Sequence, residues 1–407
     1  MRAVAIPASF GGEGFPETMP KRSIRDLDLS EKRVFIRVDF NVPLAAGGRE
    51  ITSDKRIRAS LPTIQYALKQ GAGLILASHL GRPKGKPNAE MSLRPIASRL
   101  QELLGRTVAF APDCIGPDVE AMLPGPGGVL LLENLRFHTG EEKNDAEFAR
   151  QLAALCDVYV NDAFGSAHRA HASTVGMIQF VPQAGAGLLL DKELEYLTKA
   201  TKAPERPCIA ILGGAKVSDK IEVIENLRKF VDKLLIGGAM AYTFLKALDQ
   251  PVGKSLVEED KVDVAKRLLS ESGGKLMLPL DHVVAAELKE GAENQIVETI
   301  PDDMLALDIG PKTVAAFSKV IATAKTIIWN GPMGVFEKPP FDKGTVAIAK
   351  AVASSGAVSV VGGGDSEKAV KVAGVADKIS HVSTGGGASL EFLSGLDLPG
   401  VVALPDK

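Results

Sequence analysis

The sequence has three cysteines, Cys114, Cys156 and Cys208, which are odd in number, far apart and without a Cys-x-x-Cys pair. That pattern implies no disulfide scaffold or zinc framework and fits small buried thiols in a reducing, cytoplasmic compartment. Charge of one sign is missing too, since 48 Lys and Arg face 50 Asp and Glu for a formal net charge of -2. Neither nucleic acid nor a membrane surface is implied, so any anion site has to come from local clustering. No apolar stretch approaches the roughly 18 to 20 residues of a spanning helix. The N-terminal Ala3-Val4-Ala5-Ile6 run is broken by Pro7 and fails as a signal peptide. Familiar fingerprints are absent as well. There is no Gly-x-Gly-x-x-Gly and no Gly-x-Ser-x-Gly, which argues against a dinucleotide dehydrogenase and a hydrolase elbow. Gly253-Lys254-Ser255 has the tail of a Walker A loop, but Leu248 stands where its first glycine is required.

What remains is 407 residues, 45% hydrophobic and 24% charged, a globular composition too long for one ordinary core. Short apolar runs alternate with amphipathic stretches, the pattern of βα units around parallel sheets. Strands are expected at 33–38, 73–77, 128–132 and 157–160, then at 208–212, 233–236, 275–278, 326–329 and 358–361. Helices are expected at 56–69, 94–104, 146–155, 220–230 and 343–353. A helix over 188–201, followed by the proline-bounded Lys202-Ala203-Pro204-Glu205-Arg206-Pro207, marks a boundary between two halves. Residues 1–18, rich in Gly and Pro, read as a disordered leader. The expected division is an N-terminal domain over 19–187, an interdomain helix and linker over 188–204, and a C-terminal domain over 205–394.

The loops that end the strands differ between the halves. In the first they carry Arg and His: Ser78-His79-Leu80-Gly81-Arg82-Pro83, Glu133-Asn134-Leu135-Arg136-Phe137-His138 and Ala167-His168-Arg169-Ala170-His171. Arginine forks grip small anions bidentately, and three such loops point to a small phosphorylated acid. Asp39 and Asn41, just beyond the first strand, suit the hydroxyl and carboxyl groups of that acid or an Asx turn. No cysteine or carboxylate stands at ligand spacing from His168 and His171, so that pair is not read as a metal site. In the second half the loops are glycine-rich: Gly213-Gly214-Ala215-Lys216, Gly362-Gly363-Gly364-Asp365-Ser366 and Gly385-Gly386-Gly387. Such loops let backbone N–H groups and a helix N-terminus approach a polyphosphate. With a helix starting near Ser218, Lys216 and Lys220 would face the same anion. Asp365 fits a magnesium ligand, a helix N-cap, or both. Glu337, in the irregular loop after Trp329-Asn330, suits ribose hydroxyls.

Taken in order and spacing, the segments 38–43, 78–83, 132–138, 161–171, 211–221, 329–337, 361–366 and 383–390 resemble the signatures of the phosphoglycerate kinase family. The resemblance implies an α/β protein of two Rossmann-like, doubly wound parallel-sheet domains joined by a helix and hinge, with residues 395–407 packing back on the first. It implies reversible phosphoryl transfer between 1,3-bisphosphoglycerate and MgADP, giving 3-phosphoglycerate and MgATP, in a monomer with no nucleic-acid or membrane partner. Matched position by position, Asp39, Phe40, Asn41, Arg56, His79, Leu80, Gly81, Arg82, Arg136 and Arg169 correspond to the acid-binding patch. Gly213, Lys216, Lys220, Ala306, Leu307, Asn330, Glu337, Gly363, Gly364, Asp365 and Ser366 correspond to the nucleotide site. Asp365 would hold Mg2+, and Arg56, Lys216 and Lys220 would be catalytic. Ala306 stands where the adenine wall often has glycine, and Ser366 replaces a common threonine. Two sites on two domains also lead to the expectation that the cleft must close for reaction.

Overall fold

The structure is a computed structural model describing residues 20–407; the leader expected over 1–18 lies outside the described residues. In the first half, β1 (Arg33–Arg37), β2 (Gly73–Ala77), β3 (Ala109–Phe110), β4 (Val129–Leu131), β5 (Val158–Asn161) and β6 (Gln183–Ala186) form an all-parallel sheet. Its order is β3-β4-β2-β1-β5-β6. Strands buried on both faces need apolar residues at consecutive positions, and β1 shows why. Val34 and Ile36 enter one core cluster while Phe35, between them, enters the other.

The second half repeats the plan with β7 (Cys208–Leu212), β8 (Lys233–Ile236) and β9 (Leu276–Met277). After an antiparallel insertion come β13 (Thr326–Asn330), β14 (Val358–Gly362) and β15 (His381–Val382). The parallel order is β15-β14-β13-β7-β8-β9, and the insertion pairs as β11-β10-β12 from His282–Ala285 (β10), Asn294–Val297 (β11) and Leu305–Ile309 (β12). β2, β7 and β8 span the residues their sequence patterns predict. Of the other expected strands, β1, β13 and β14 differ by one residue at one end, β4 and β5 by one residue at both ends, and β9 shortens to two residues. The antiparallel sheet is absent from the sequence-based expectation because β11 is mostly exposed and lacks an apolar run. β6 is likewise built from Gln, Ala and Gly, with no β-branched signal.

The helix between the sheets runs over Leu188–Lys202. Its first-turn N–H groups have no intrahelical partners, and Asp162 at the end of β5 accepts from Leu189 and Leu190 at 2.9 and 3.4 Å. Burial pushes the Asp162 carboxyl up to about 7. One apolar cluster continues from Phe35 and Leu130 through Leu190 and Leu197 to Leu212 and Leu234, so both sheets share core with this helix. Residues near the C-terminus return to the first half. Gly400 donates to the Ala167 carbonyl and accepts from Asn161, and Arg22 donates to the Pro405 carbonyl at 2.9 Å.

Candidate functional site

Parallel sheets place every strand-ending loop at one edge, and in the first half those loops enclose a cleft of about 300 Å³. It is lined by Asp39, Asn41, Arg56, His79, Gly81, Arg82, Arg136, His168 and Arg169, so loops separated by more than a hundred residues converge there. Arg56, in the first turn of the Lys55–Lys69 helix, donates to Asp39 at 3.0 Å and to the Asn41 carbonyl at 3.1 Å. The Asn41 side chain accepts from the Gly81 N–H at 3.0 Å, and Arg136 donates to the Gly81 carbonyl at 2.8 Å. Arg136 is buried, and its Nε forms an ion pair with the Glu142 carboxylate at 3.3 Å. A buried guanidinium brings a forked, charged donor to the cleft, a geometry suited to an anion.

The imidazoles supply no charge here. His79 is held well below its ordinary pKa by burial and then by Arg37, Arg136 and Arg56. Fully buried Arg37 touches its Nδ1 at 3.2 Å. His168 is lowered by burial and then by Arg169. Arginines therefore carry the positive charge, and the two histidines act as neutral hydrogen-bonding groups.

Several sequence-level expectations change. Phe40 and Leu80 are buried among core residues, and their backbone N–H groups are taken by Ser78 and Asn134, so neither side chain faces the cleft. His138 turns away to Asp113 at 2.5 Å. His171 is buried 3.7 Å from Glu141, and burial followed by Arg37 lowers it to about 3. Conversely, Gly385, Gly386 and Gly387 from the second half line this first-half cleft. A methyl on Gly385 would overlap the Phe164 ring, so only glycine permits that approach.

The second cluster forms at the ends of β7, β13 and β14. Lys220 Nζ donates to Asn330 Oδ1, whose Nδ2 donates to the Gly362 carbonyl at 3.0 Å. Ser366 Oγ accepts from the Gly331 N–H at 2.6 Å. Gly363 has φ +92° and leads into the Gly364–Val372 helix, while a methyl on Gly213 would overlap the Pro332 carbonyl oxygen. Burial lowers Lys220 to about 8, against the opposing pull of the Asp219 and Asp365 carboxylates. Lys216, Glu337 and Asp365 are exposed, and Asp365 lies 3.4 Å from Lys368. Ala306 and Leu307 are buried on β12, where the Leu307 carbonyl accepts from Val335 in the loop that leads to Glu337.

Two local expectations are corrected. The helix begins at Ile221, not near Ser218, because the Ser218 hydroxyl and N–H both go to Glu258 and leave no cap for the next turn. Lys220 is instead the residue immediately before the helix. Asp365 is not an N-cap either: Gly363 occupies that position, which leaves the Asp365 carboxylate free of a capping role.

Sequence pattern alone does not single out the residues that tie these loops together. Lys55, next to Arg56, forms an ion pair with Glu367, next to Ser366. Fully buried Glu193, on the Leu188–Lys202 helix, accepts from the Thr384 N–H at 2.7 Å and contacts His381 at 2.7 Å. Asp308 is raised to about 8 by burial and accepts from the Gly344 N–H at 2.6 Å behind the Pro332–Glu337 loop. Only Asp308 stands as a lone carboxylate in an apolar run, whereas Glu193 and Glu367 sit among other charged residues.

The family model for phosphoglycerate kinase matches residues 24–396. A phosphoglycerate kinase of Solibacter usitatus is 74% identical over 385 residues, covering 94% of this chain and 98% of its own. One of Acidobacterium capsulatum is 62% identical, covering 96% and 100%. Among solved structures, the phosphoglycerate kinase of Coxiella burnetii superposes with TM-score 0.87 at 44% identity, covering 94% of this chain and 98% of that one. That of Pyrococcus horikoshii gives 0.82 at 35% identity, with the same coverages.

Proposed function

The chain belongs to the phosphoglycerate kinase family, and from that premise we propose that its two clusters hold the two substrates of one phosphoryl transfer. The arginine-lined cleft takes 3-phosphoglycerate or 1,3-bisphosphoglycerate, and the glycine loops take ADP or ATP with Mg2+. The observation that carries this reading is the bridge between them: the helix turn bearing Arg56 is tied through Lys55 to Glu367, beside Ser366.

In the direction of ATP synthesis, a terminal oxygen of the ADP β-phosphate attacks the acyl phosphorus in line. The bond from phosphorus to the acyl oxygen breaks, and the electron pair leaves on the carboxylate. No proton is exchanged at the reacting atoms and no phosphoenzyme is needed, so the protein's task is to position groups and neutralise charge. Arg136, Arg169, Arg82 and His79 anchor the acid, with Asp39 and Asn41 toward its hydroxyl and carboxyl groups. Arg56, Lys216 and Lys220 offset charge on the moving phosphoryl, and the N–H groups around Gly213, Gly363 and Gly364 meet the polyphosphate. Glu337 receives the ribose, while Ala306 and Leu307 stand along the adenine. The exposed Asp365 carboxylate, free of a capping role, suits Mg2+, which when bound neutralises part of the polyphosphate charge.

We read the chain as acting as a monomer. Its three free, buried cysteines fit the reducing cytoplasm, and among the described residues no helix is long and apolar enough to cross a membrane. A hinge closure that admits both substrates and then excludes water completes the reading. The test is a coupled spectrophotometric assay with MgATP and 3-phosphoglycerate beside a panel of other small carboxylic acids. Selective turnover of 3-phosphoglycerate is expected. Equal turnover of the panel, or nucleotide binding without turnover, would overturn it.

A further inference from the structure

Away from both clusters, a second constellation forms where the first sheet's β3 and β4 end side by side. These strands pair in parallel through Ala109↔Leu130 and Phe110↔Leu131, which brings the loop after β3 against the loop after β4. Asp113 and Cys114 lie on the first loop and His138 on the second, 24 residues further along the chain. We propose that Asp113, Cys114 and His138 form a site for a borderline-soft divalent cation of the Zn2+ class.

The ligand atoms of the three residues already lie within 4.8 Å of one another. Tetrahedral bonds of about 2.0–2.3 Å place ligands roughly 3.3–3.8 Å apart, so small side-chain adjustments bring the set to that geometry. His138 Nε2 is 2.5 Å from Asp113 Oδ1, and its ring is stacked on Phe148 with centroids 4.8 Å apart, which fixes the ring plane. Cys114 is buried, with its Sγ 3.0 Å from the Glu133 carbonyl and its N–H on Asp113 Oδ1 at 2.7 Å. Thiolate with imidazole selects zinc-like ions over Mg2+ or Ca2+, and three protein ligands leave a fourth position for water. That side opens on a groove of about 1240 Å³ to which Asp113, Glu133 and His138 contribute. Among the described residues the other cysteines belong to no such group: the Cys156 thiol meets backbone, at Phe35 and at the Ala153 carbonyl 3.6 Å away. Binding exchanges the Sγ–H bond for an S–metal bond, and the proton leaves to solvent through the groove. The ion would fasten the end of β3 to the loop bearing Arg136, two residues before His138. Cysteine count and spacing give no hint of this site, because its ligands come from two loops that only strand pairing brings together.

The test uses the full chain, stripped with a chelator and titrated with Co2+ as a spectroscopic substitute. A thiolate-to-cobalt charge-transfer band should saturate at about one equivalent per chain and be displaced by Zn2+, as three-ligand sites of this type allow. Cys114→Ala should abolish the band and Cys156→Ala should retain it. Since Cys114 is buried, the partly exposed His138→Gln serves as the second variant and should weaken Zn2+ binding by more than about 100-fold, beyond the loss typical of supporting residues. Absence of the band in the unmodified protein, or His138→Gln binding Zn2+ as tightly as the parent, would overturn the proposal.

Discussion

Replacing Lys220 with methionine should make the unliganded protein more stable and the enzyme far slower. The Lys220 ammonium is largely buried, and burial has lowered its pKa from an ordinary 10.5 to about 8. That lowering corresponds to about 3 kcal/mol by which the folded protein disfavours the charge at neutral pH. Methionine keeps the stem and removes the charge, but it strands the Asn330 oxygen that Lys220 now satisfies. That loss is worth about 1–2 kcal/mol, which leaves a net gain of roughly 1–2 kcal/mol for the variant. The pH dependence has a definite sign. Between about 8 and 10.5 the unfolded parent binds more protons than the folded one, so its stability climbs with pH and the advantage of Lys220→Met shrinks. Trp329 is the only tryptophan, is fully buried, and precedes Asn330, so its fluorescence during urea unfolding at pH 7 and pH 10 reports the affected region. The same variant should lose roughly 10²-fold or more in kcat, as expected when a donor to the transition state is removed, with a smaller change in nucleotide affinity. A variant less stable than the parent at pH 7, or a stability difference unchanged at pH 10, would refute the burial argument. Near-parental kcat with weakened ATP binding would move Lys220 from the transition state to the ground state.

Asp365→Asn should lower activity, and raising Mg2+ should restore part of it; superimposable Mg2+ titrations for variant and parent would remove Asp365 from the metal site. Sulfate should compete with 3-phosphoglycerate, and a sulfate-soaked crystal should show the anion among Arg82, Arg136 and Arg169, whereas density confined to the Gly364 loop would refute the assignment of the first cleft. Small-angle scattering should show the smallest radius of gyration with both substrates present and an intermediate one with either alone, and an unchanged radius in the fully active ternary mixture would mean that no closure occurs.

Much of this architecture is legible in the sequence because parallel strands buried on both faces must be unbroken apolar runs. Gly73–Ala77 and Cys208–Leu212 announce themselves that way, and the loops after them carry the chemistry. What is not legible depends on long-range partners. Ser218 looks like a helix cap until Glu258, forty residues away, takes its hydroxyl. Arg136 and His138 share one loop, yet Arg136 reaches Gly81 in the cleft while His138 reaches Asp113 on the far side of β4. Glu193 and Asp162 are unremarkable acids in the sequence, and only the packing around the Leu188–Lys202 helix shows one as its cap and the other as its tie to Thr384.

The first half of the chain is not finished when its own residues have been made. A ribosome releases β1 to β6 long before Gly385–Gly387 and residues 399–407, which supply a wall of the first cleft and the hydrogen bonds to Ala167 and Arg22. Nascent chains tend to fold from the N-terminus as they emerge. Here the earlier sheet must wait with an open flank until the last two dozen residues arrive. A prematurely ended translation product would therefore lack one wall of this cleft and the hydrogen bonds that the C-terminal residues make to the first half.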